Sequence, residues 1–345
     1  MVDVSLYEQR AKIRSYKRGM YAFHLLQTGI VLGLFDRIKA SGAGISSGVL
    51  ARELGLHEPY VDVWCLAAYH MEILDSNIDG TFTLAPHMGT LLADPESPYY
   101  LGPEIEMRTT YTVQHLKKHV EYFRSGGSHV CASEGVDFSR LQKRLTDQGI
   151  PAAYLFYAIP SIPGLKERLE GGMRVLDVGC GSGFLMVQLA KAFPNSRFLG
   201  IEVDEFAVKA AQGCIRENGV QDRVSAVLID ANSADFSGEF DLVNMAVVLH
   251  EIQRDSKRKI IAKCHQALRD SGEIVVFDFA YPEGLQSFRK PEYTEGILDQ
   301  LHEVAWGSEH ISGVAREQLL KDQGFRDPIT VSVVDGSYEV THAKK

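Results

Sequence analysis

Val175-Leu-Asp-Val-Gly-Cys-Gly-Ser-Gly183 runs from an apolar strand into a glycine-rich turn, and Phe184-Leu-Met-Val-Gln-Leu-Ala-Lys-Ala-Phe193 continues at helical spacing to Pro194. Glycines at a strand-to-helix turn let a ligand lie against bare backbone, close to the free N–H groups of the helix start. The glycines stand at 179, 181 and 183. The dinucleotide fingerprint G-x-G-x-x-G needs a glycine at position 184, where this chain has Phe. Asp177, at the strand end, would repel a pyrophosphate and suits a cationic amine.

Beyond the loop, strands alternate with helices: 174–178, 197–202, 224–229, 240–245 and 272–279. That order predicts a parallel sheet covered on both faces. The second strand ends in Glu202, where a carboxylate can take both hydroxyls of a ribose. The third ends in Asp230-Ala231, where the acid can accept from an adenine amino group while the Ala231 N–H meets a ring nitrogen. A single acid at a strand end can equally cap the next helix. Three at consecutive strand ends, behind this loop, describe a ligand with a cationic end, a ribose and an adenine. S-adenosylmethionine has those groups.

The first hundred residues read differently. Tyr21 to Ile38 is apolar at helical spacing, Ser46 and Gly55 bracket a short helix, and Tyr60 to Met71 makes the next one after Pro59. Ile73-Leu74 and Thr81–Leu84 flank a turn at Asp75–Gly80. Helix, turn, helix, hairpin is a winged helix. Its second helix carries no Lys or Arg and includes Asp62, so it lacks the groups that read bases and hold phosphates. Val61, Trp64, Cys65 and Leu66 suit burial or a dimer contact better. The whole chain carries 36 basic and 45 acidic side chains, a formal charge of −9, which also argues against a nucleic-acid partner. No apolar run reaches the roughly 18 residues a membrane span needs, and the opening residues do not read as a secretion signal. Five cysteines without a C-x-x-C pair fit a reducing cytosol, with neither a zinc ribbon nor a disulfide framework expected.

Through Val175–Gly183, Gly200-Ile-Glu-Val-Asp204, Asp230-Ala231 and Phe240-Asp-Leu-Val-Asn-Met245, the chain resembles the class I S-adenosylmethionine-dependent methyltransferases. Leu32-Gly-Leu-Phe-Asp36 through Leu84-Ala-Pro86 is similar to the winged-helix dimerisation region of the small-molecule O-methyltransferase group. The resemblance implies a Rossmann-like, doubly wound, mostly parallel seven-stranded sheet whose last strand is antiparallel. It also implies a winged-helix-like dimerisation domain over 1–103, a helical substrate-binding segment over 104–170, and the cofactor domain over 171–345. The cofactor residues it implies are Asp177, Gly179, Gly181, Gly183, Glu202, Val203, Asp230, Ala231 and Met245, with S-adenosylhomocysteine as product and no metal. The partners implied are a small-molecule acceptor and a second copy of the chain, with no nucleic acid and no membrane.

In that group a His just after the fourth strand acts as base. Here it is His250, with Glu251 in the place of the family's Asp, and it takes the role of base or polarising group. His250-Glu-Ile-Gln-Arg254 is not a zinc-protease motif, because Arg254 stands where a second His is needed. His115 and His119 lie one helical turn apart, but Lys117 and Lys118 between them suggest a solvated face. Tyr111, Arg124, Tyr154 and Tyr157 are candidate substrate contacts, with Trp306–His310 as a pocket wall and Gly126-Gly127 as a lid hinge. Arg124 pointing inward would favour an acceptor that carries a carboxylate. Two other readings remain open at this point: S-methylation of a small thioether acid, which needs no base, and a ligand-sensing winged-helix regulator.

Overall fold

The computed structural model describes residues 4–97, 99–126 and 136–345. The chain divides into two compact units, with the break between Gln114 and His115. In the first unit, the helix expected over Tyr21 to Ile38 is two helices, Leu6–Val31 and Leu34–Ser41. Gly33, at φ 68°, takes the left-handed conformation that turns the chain between them. The turn puts Leu34, Phe35 and Ile38 into the core, where Phe35 meets Trp64 edge to face at 5.3 Å. Ser46 caps the helix Ser47–Leu54 by accepting from the Val49 N–H, and Gly55 ends it at φ 65°. The helix Glu58–His70 follows, then β1 (Leu74–Ser76) pairs antiparallel with β2 (Phe82–Leu84).

The second unit holds a seven-stranded sheet. Its strands are β3 (Arg174–Val178), β4 (Arg197–Glu202), β5 (Val224–Leu228), β6 (Phe240–Ala246), β7 (Leu268–Phe279), β8 (Arg326–Val333) and β9 (Tyr338–Lys344), in the spatial order β5-β4-β3-β6-β7-β9-β8. β3 to β7 pair in parallel, and β9 runs antiparallel between β7 and β8. Alternate residues of one strand feed opposite layers. Val175 joins Met186, Val187, Ala190 and Ala211 of the helices Phe184–Ala192 and Glu205–Glu217. Leu176 and Val178 join Ile260, Ile261 and Leu320 of the helices Arg254–Ala267 and Gly313–Asp322. Both faces of the parallel strands are therefore apolar and covered, which is the Rossmann-like α/β arrangement. The order also reverses between β3 and β6, and open α/β sheets bind ligands at the strand ends beside that reversal. No helix among the described residues is long and apolar enough to cross a membrane.

The antiparallel edge is fastened by a buried cation. Arg316, only 2% exposed, donates to Thr341 Oγ1 on β9 and to the Phe279 carbonyl at the end of β7, and it pairs with Glu339. Removing the guanidinium would leave Glu339 a poorly solvated charge, and breaking one partner from a buried pair costs about 3–5 kcal/mol. We expect Arg316→Met to lower unfolding stability by that amount in urea titration. A loss under about 1 kcal/mol would place the pair on the scale of a surface ion pair.

Candidate active site

The turn after β3 is built from backbone that only glycine adopts easily. Gly179, Gly181 and Gly183 have φ of 71°, 51° and 71°. A Cβ on Gly179 would stand 2.3 Å from Val248 Cγ2, whereas one on Gly181 would meet nothing within 4 Å. The loop is thus pressed against the turn after β6 on one side and open on the other. Glu202 reaches into it: Oε2 accepts from the Gly181 N–H at 3.0 Å, and Oε1 accepts from the Val203 and Asp204 N–H groups. Asp177 is buried and accepts from Asn244 Nδ2 at 2.6 Å. Burial pushes its carboxyl up to about 7, against the pull of that amide hydrogen bond, and the nearby Glu202 charge adds to the rise. Asn244 Oδ1 and the Tyr154 hydroxyl are buried with no hydrogen-bond partner among the described residues.

Buried acceptors without donors and a carboxylate kept from ionising both call for a cationic, hydrogen-bonding ligand. An ammonium group near Asp177 and ribose hydroxyls at Glu202 fit this chemistry. The Gly181 side leaves the space. Asp230 is exposed, and in this state its Oδ1 accepts from the Asn232 backbone and side chain, capping its own turn. Ala231 beside it is half-buried, and Val203 is exposed. Met245 is a correction: it is fully buried in the apolar layer with Leu176 and Val243, because it occupies the inward register of β6.

His250 lies four residues past the end of β6. Val247, β-branched yet at φ 55°, turns the chain sharply after the strand, a strained conformation of the kind found at functional sites. Lys257 holds the turn from below. Its buried ammonium donates to the carbonyls of Leu249 and Ile252 at 2.5 and 2.6 Å, with that of His250 at 3.5 Å, and burial pulls its pKa down to about 8. His250 is 4% exposed. Its Nδ1 is 2.6 Å from Asp278 Oδ1, and its backbone N–H donates to Asp278 Oδ2 at 3.1 Å.

The sequence pointed to Glu251 as the carboxylate partner. The structure places Asp278 there instead, at the end of the neighbouring strand. Glu251 is exposed, since successive residues of a turn face different ways. Burial alone would lower the His250 pKa, but the Asp278 charge and hydrogen bond outweigh it and raise the imidazole to about 10. Asp278 is correspondingly held below the usual carboxylate range.

On its other side, His250 stacks on His310, with ring centroids 4.5 Å apart and planes 5° from parallel. His310 Nε2 lies 3.0 Å from Asp299 Oδ2, which is 3.9 Å from His250 Nε2. Glu303 is buried nearby and accepts from the Ser308 hydroxyl at 2.5 Å, and burial raises it to about 7. His310 sits in the Trp306–His310 segment expected to wall the pocket. Asp278, Asp299, Glu303 and Lys257 carry no local signal in the sequence, because long-range pairing brings them together.

The other candidates scatter. Tyr154 is 1% exposed: its ring packs edge-on against Phe277 in the core, and only its hydroxyl, the unpartnered group named above, is left to meet a ligand. Tyr157 is exposed, and so is Arg124, which therefore does not supply a buried cation for an acceptor's carboxylate. Tyr111 is half-buried in the π-helical turn Arg108–Thr112 of the first unit. Gly127, half of the expected hinge, lies outside the described residues. His115 is not on a solvated face: it is buried, with Nδ1 2.9 Å from His302 Nε2.

Residues 169–318 match the family model described as a methyltransferase domain. Across 91% of its length the chain is 21% identical to 3-hydroxy-5-methyl-1-naphthoate 3-O-methyltransferase of Streptomyces sahachiroi, covering 88% of that protein. Several other curated relatives are more identical over shorter stretches, and the chain spans about half of their length or less. Among solved structures, human N-acetylserotonin methyltransferase in complex with S-adenosylmethionine superposes with a TM-score of 0.78 at 15% identity, over 100% of this chain and 99% of that one. An O-methyltransferase from neocarzinostatin biosynthesis, bound to S-adenosylmethionine and 2-hydroxy-5-methyl naphthoic acid, gives 0.71 at 15% identity over 94% and 95%. With a glycine loop that fits a cationic nucleoside, this sheet order and the matched methyltransferase domain, the chain is similar to the class I S-adenosylmethionine-dependent methyltransferases.

Proposed function

We propose that this protein transfers the methyl group of S-adenosylmethionine to a hydroxyl oxygen of a small-molecule acceptor, with His250 taking the hydroxyl proton. The observation that carries this reading is the His250–Asp278 pair. With Nδ1–H directed at Asp278, the imidazole has its Nε2 lone pair left to accept a proton. The pair stands at the ends of β6 and β7, and Val248, two residues before His250, touches Gly179 of the cofactor loop. Methyl transfer is an in-line displacement, and holding the nucleophile about 3–3.5 Å from the methyl carbon supplies about 7–11 kcal/mol of the barrier. Asp177, Glu202 and the loop glycines hold the donor, and proton removal by a positioned base adds about 10²–10⁴-fold. The naphthoate 3-O-methyltransferase and the O-methyltransferase from neocarzinostatin biosynthesis, to which the chain is similar, support a hydroxylated small molecule as acceptor.

A thioether acceptor sheds no proton, so pH separates the two chemistries. His250, raised to about 10, is protonated at neutral pH and must lose a proton before it accepts one. The value of log kcat/KM should therefore climb with pH from neutrality towards 10. Asp278→Asn removes the charge that raises the imidazole, so the climb should end at lower pH. His250→Ala should abolish turnover while S-adenosylhomocysteine still binds in calorimetry. A flat profile and near-normal turnover of His250→Ala would assign the acceptor to sulfur, or His250 to structure.

Lys257 acts through the turn it holds, as a positioning residue. Lys257→Met should lower kcat by about 10²-fold, the effect of an ångström-scale misplacement, with cofactor affinity unchanged. Equal losses in kcat and cofactor affinity would show a general collapse of the turn instead.

The helices and hairpin of the first unit are read as a winged helix that joins two copies and does not bind DNA. The helix Glu58–His70 exposes Tyr60, Val63, Leu66 and Tyr69, an apolar face with no cation for a phosphate. Sedimentation at the mass of a dimer, reduced to a monomer by Leu66→Glu, is the expected result. A wild-type monomer would overturn this reading.

A further inference from the structure

The helix Val136–Ala153 is bonded to both loops that face the cofactor site. Ser139, Lys143 and Asp147 follow one another at four-residue steps, so they form one stripe about 12 Å long on its surface. At one end of the stripe, Asp147 Oδ1 accepts from the Ser182 hydroxyl at 2.5 Å, and Oδ2 accepts from the Lys143 ammonium at 2.5 Å. Ser182 stands between Gly181 and Gly183 of the glycine loop, and its oxygen accepts from the Phe184 N–H, at the start of the next helix, at 3.3 Å. At the other end, the Ser139 hydroxyl donates to Asp204 Oδ2 at 3.0 Å. Asp204 caps the helix Glu205–Glu217 through Oδ1, and its own N–H goes to Glu202 Oε1.

A loop with three glycines at positive φ has little stiffness of its own. Its Gly181 N–H is held by Glu202 Oε2, and ribose hydroxyls arriving at Glu202 compete for that oxygen. The Ser182–Asp147 bond uses other atoms and survives the exchange. A hydrogen bond to a carboxylate is among the stronger kinds, and the Asp147 side chain, 18% exposed, is largely shielded from water. The Lys143 ammonium meets its second oxygen, so the charge does not stand unpaired beside the loop.

The same helix reaches the expected acceptor wall. Phe138, next to Ser139 and 5% exposed, meets the Trp306 ring edge to face with centroids 6.1 Å apart. Trp306 also packs on His302 at 4.6 Å, and its indole N–H is buried without a partner. One helix thus carries contacts with the glycine loop, with the Glu202 turn and with Trp306.

We propose that the helix Val136–Ala153 clamps the two cofactor loops, with Asp147 as positioning residue of the glycine loop, and that through Phe138 it couples cofactor binding to the acceptor wall at Trp306. The inference rests on the reading of the glycine loop as the S-adenosylmethionine site and goes beyond it, because Asp147 and Ser139 act through Ser182 and Asp204. Such coupling is reciprocal: if a filled cofactor site favours one placement of Trp306, an acceptor packed on that placement favours a filled cofactor site.

Calorimetry with S-adenosylhomocysteine on the full chain tests the clamp. Asp147→Ala should weaken binding about tenfold or more, the loss of one charge-assisted hydrogen bond. Asp147→Asn keeps an oxygen for the Ser182 hydroxyl and should stay within about threefold of wild type. Ser182→Ala should lose as much as Asp147→Ala, and the double variant no more than either, because all three lack the same bond. Tryptophan emission tests the coupling, since the chain has only Trp64 and Trp306. The ligand should shift the emission of the wild type and of Trp64→Phe but not of Trp306→Phe. Asp147→Ala and Ser139→Ala, saturated with ligand, should lose most of the shift. Wild-type affinity in Asp147→Ala, an equal loss in Asp147→Asn, or a Trp306 shift that is absent in the wild type or undiminished in the saturated variants overturns the proposal. No heat with S-adenosylhomocysteine in the wild type overturns the cofactor reading and the clamp with it, whereas binding that ignores Asp147 overturns the clamp alone.

Discussion

Asp278 ends β7 with a buried carboxylate that accepts from the Phe279 N–H at 2.8 Å and from the His250 N–H at 3.1 Å, and that faces His250 Nδ1 at 2.6 Å. A carboxylate 2% exposed is tolerable only because these groups meet it, with the Arg316 charge close by. The same bonds fix the turn after β6. Removing one of them would release both the imidazole orientation and the strand end. Arg316, which also bonds the Phe279 carbonyl, extends this restraint to β9. The antiparallel edge of the sheet and the candidate catalytic histidine are therefore held by one connected polar cluster.

The two halves of the site differ in how they are supported. The cofactor half is backbone: glycines at positive φ, and carboxylates that bond to N–H groups. Glu202 and Asp230 can exchange those bonds for ligand hydroxyl or amino groups, so binding replaces hydrogen bonds more than it creates them. The acceptor half is side chain on side chain. The rings of Phe279 and Tyr281 pack against His250 and His310, and the charges of His250, Asp278, Asp299 and Glu303 act on one another. A low local dielectric makes such a cluster sensitive to a single added or removed charge.

The sequence carried the first half well and the second poorly, for a physical reason. Backbone conformation is written locally, so Gly179, Gly181 and Gly183 announced the loop. The two-sided apolar strands announced β3 to β7 within a few residues of their observed limits. Helix continuity was less legible: one glycine, Gly33, split a helix that periodicity alone would have run through. Asp278 ends a strand like the three acids that were noticed, but nothing local says that its partner is 28 residues upstream. Glu251 drew attention because it is adjacent to His250 in sequence, and adjacency in a turn does not put side chains on one side. Met245 has a residue type that suits a site, yet the strand register turns it into the core.

The high proton affinity of His250 ties these observations together. An imidazole raised to about 10 is a poor base for most of its time at neutral pH, because it already holds the proton. Its strength shows only against a partner of similar acidity, and an ordinary phenolic hydroxyl, near 10, is such a partner. The proton can then lie on either group at little cost, and an acceptor arriving as its anion would be held by the imidazolium as an ion pair. Raising the histidine further would trap the proton, and lowering it would leave the hydroxyl un-ionised. Asp278 sets that balance upward, while the burial that excludes water sets it downward. In the proposed reaction Asp278 thus tunes the base that meets the acceptor's hydroxyl without touching the acceptor itself.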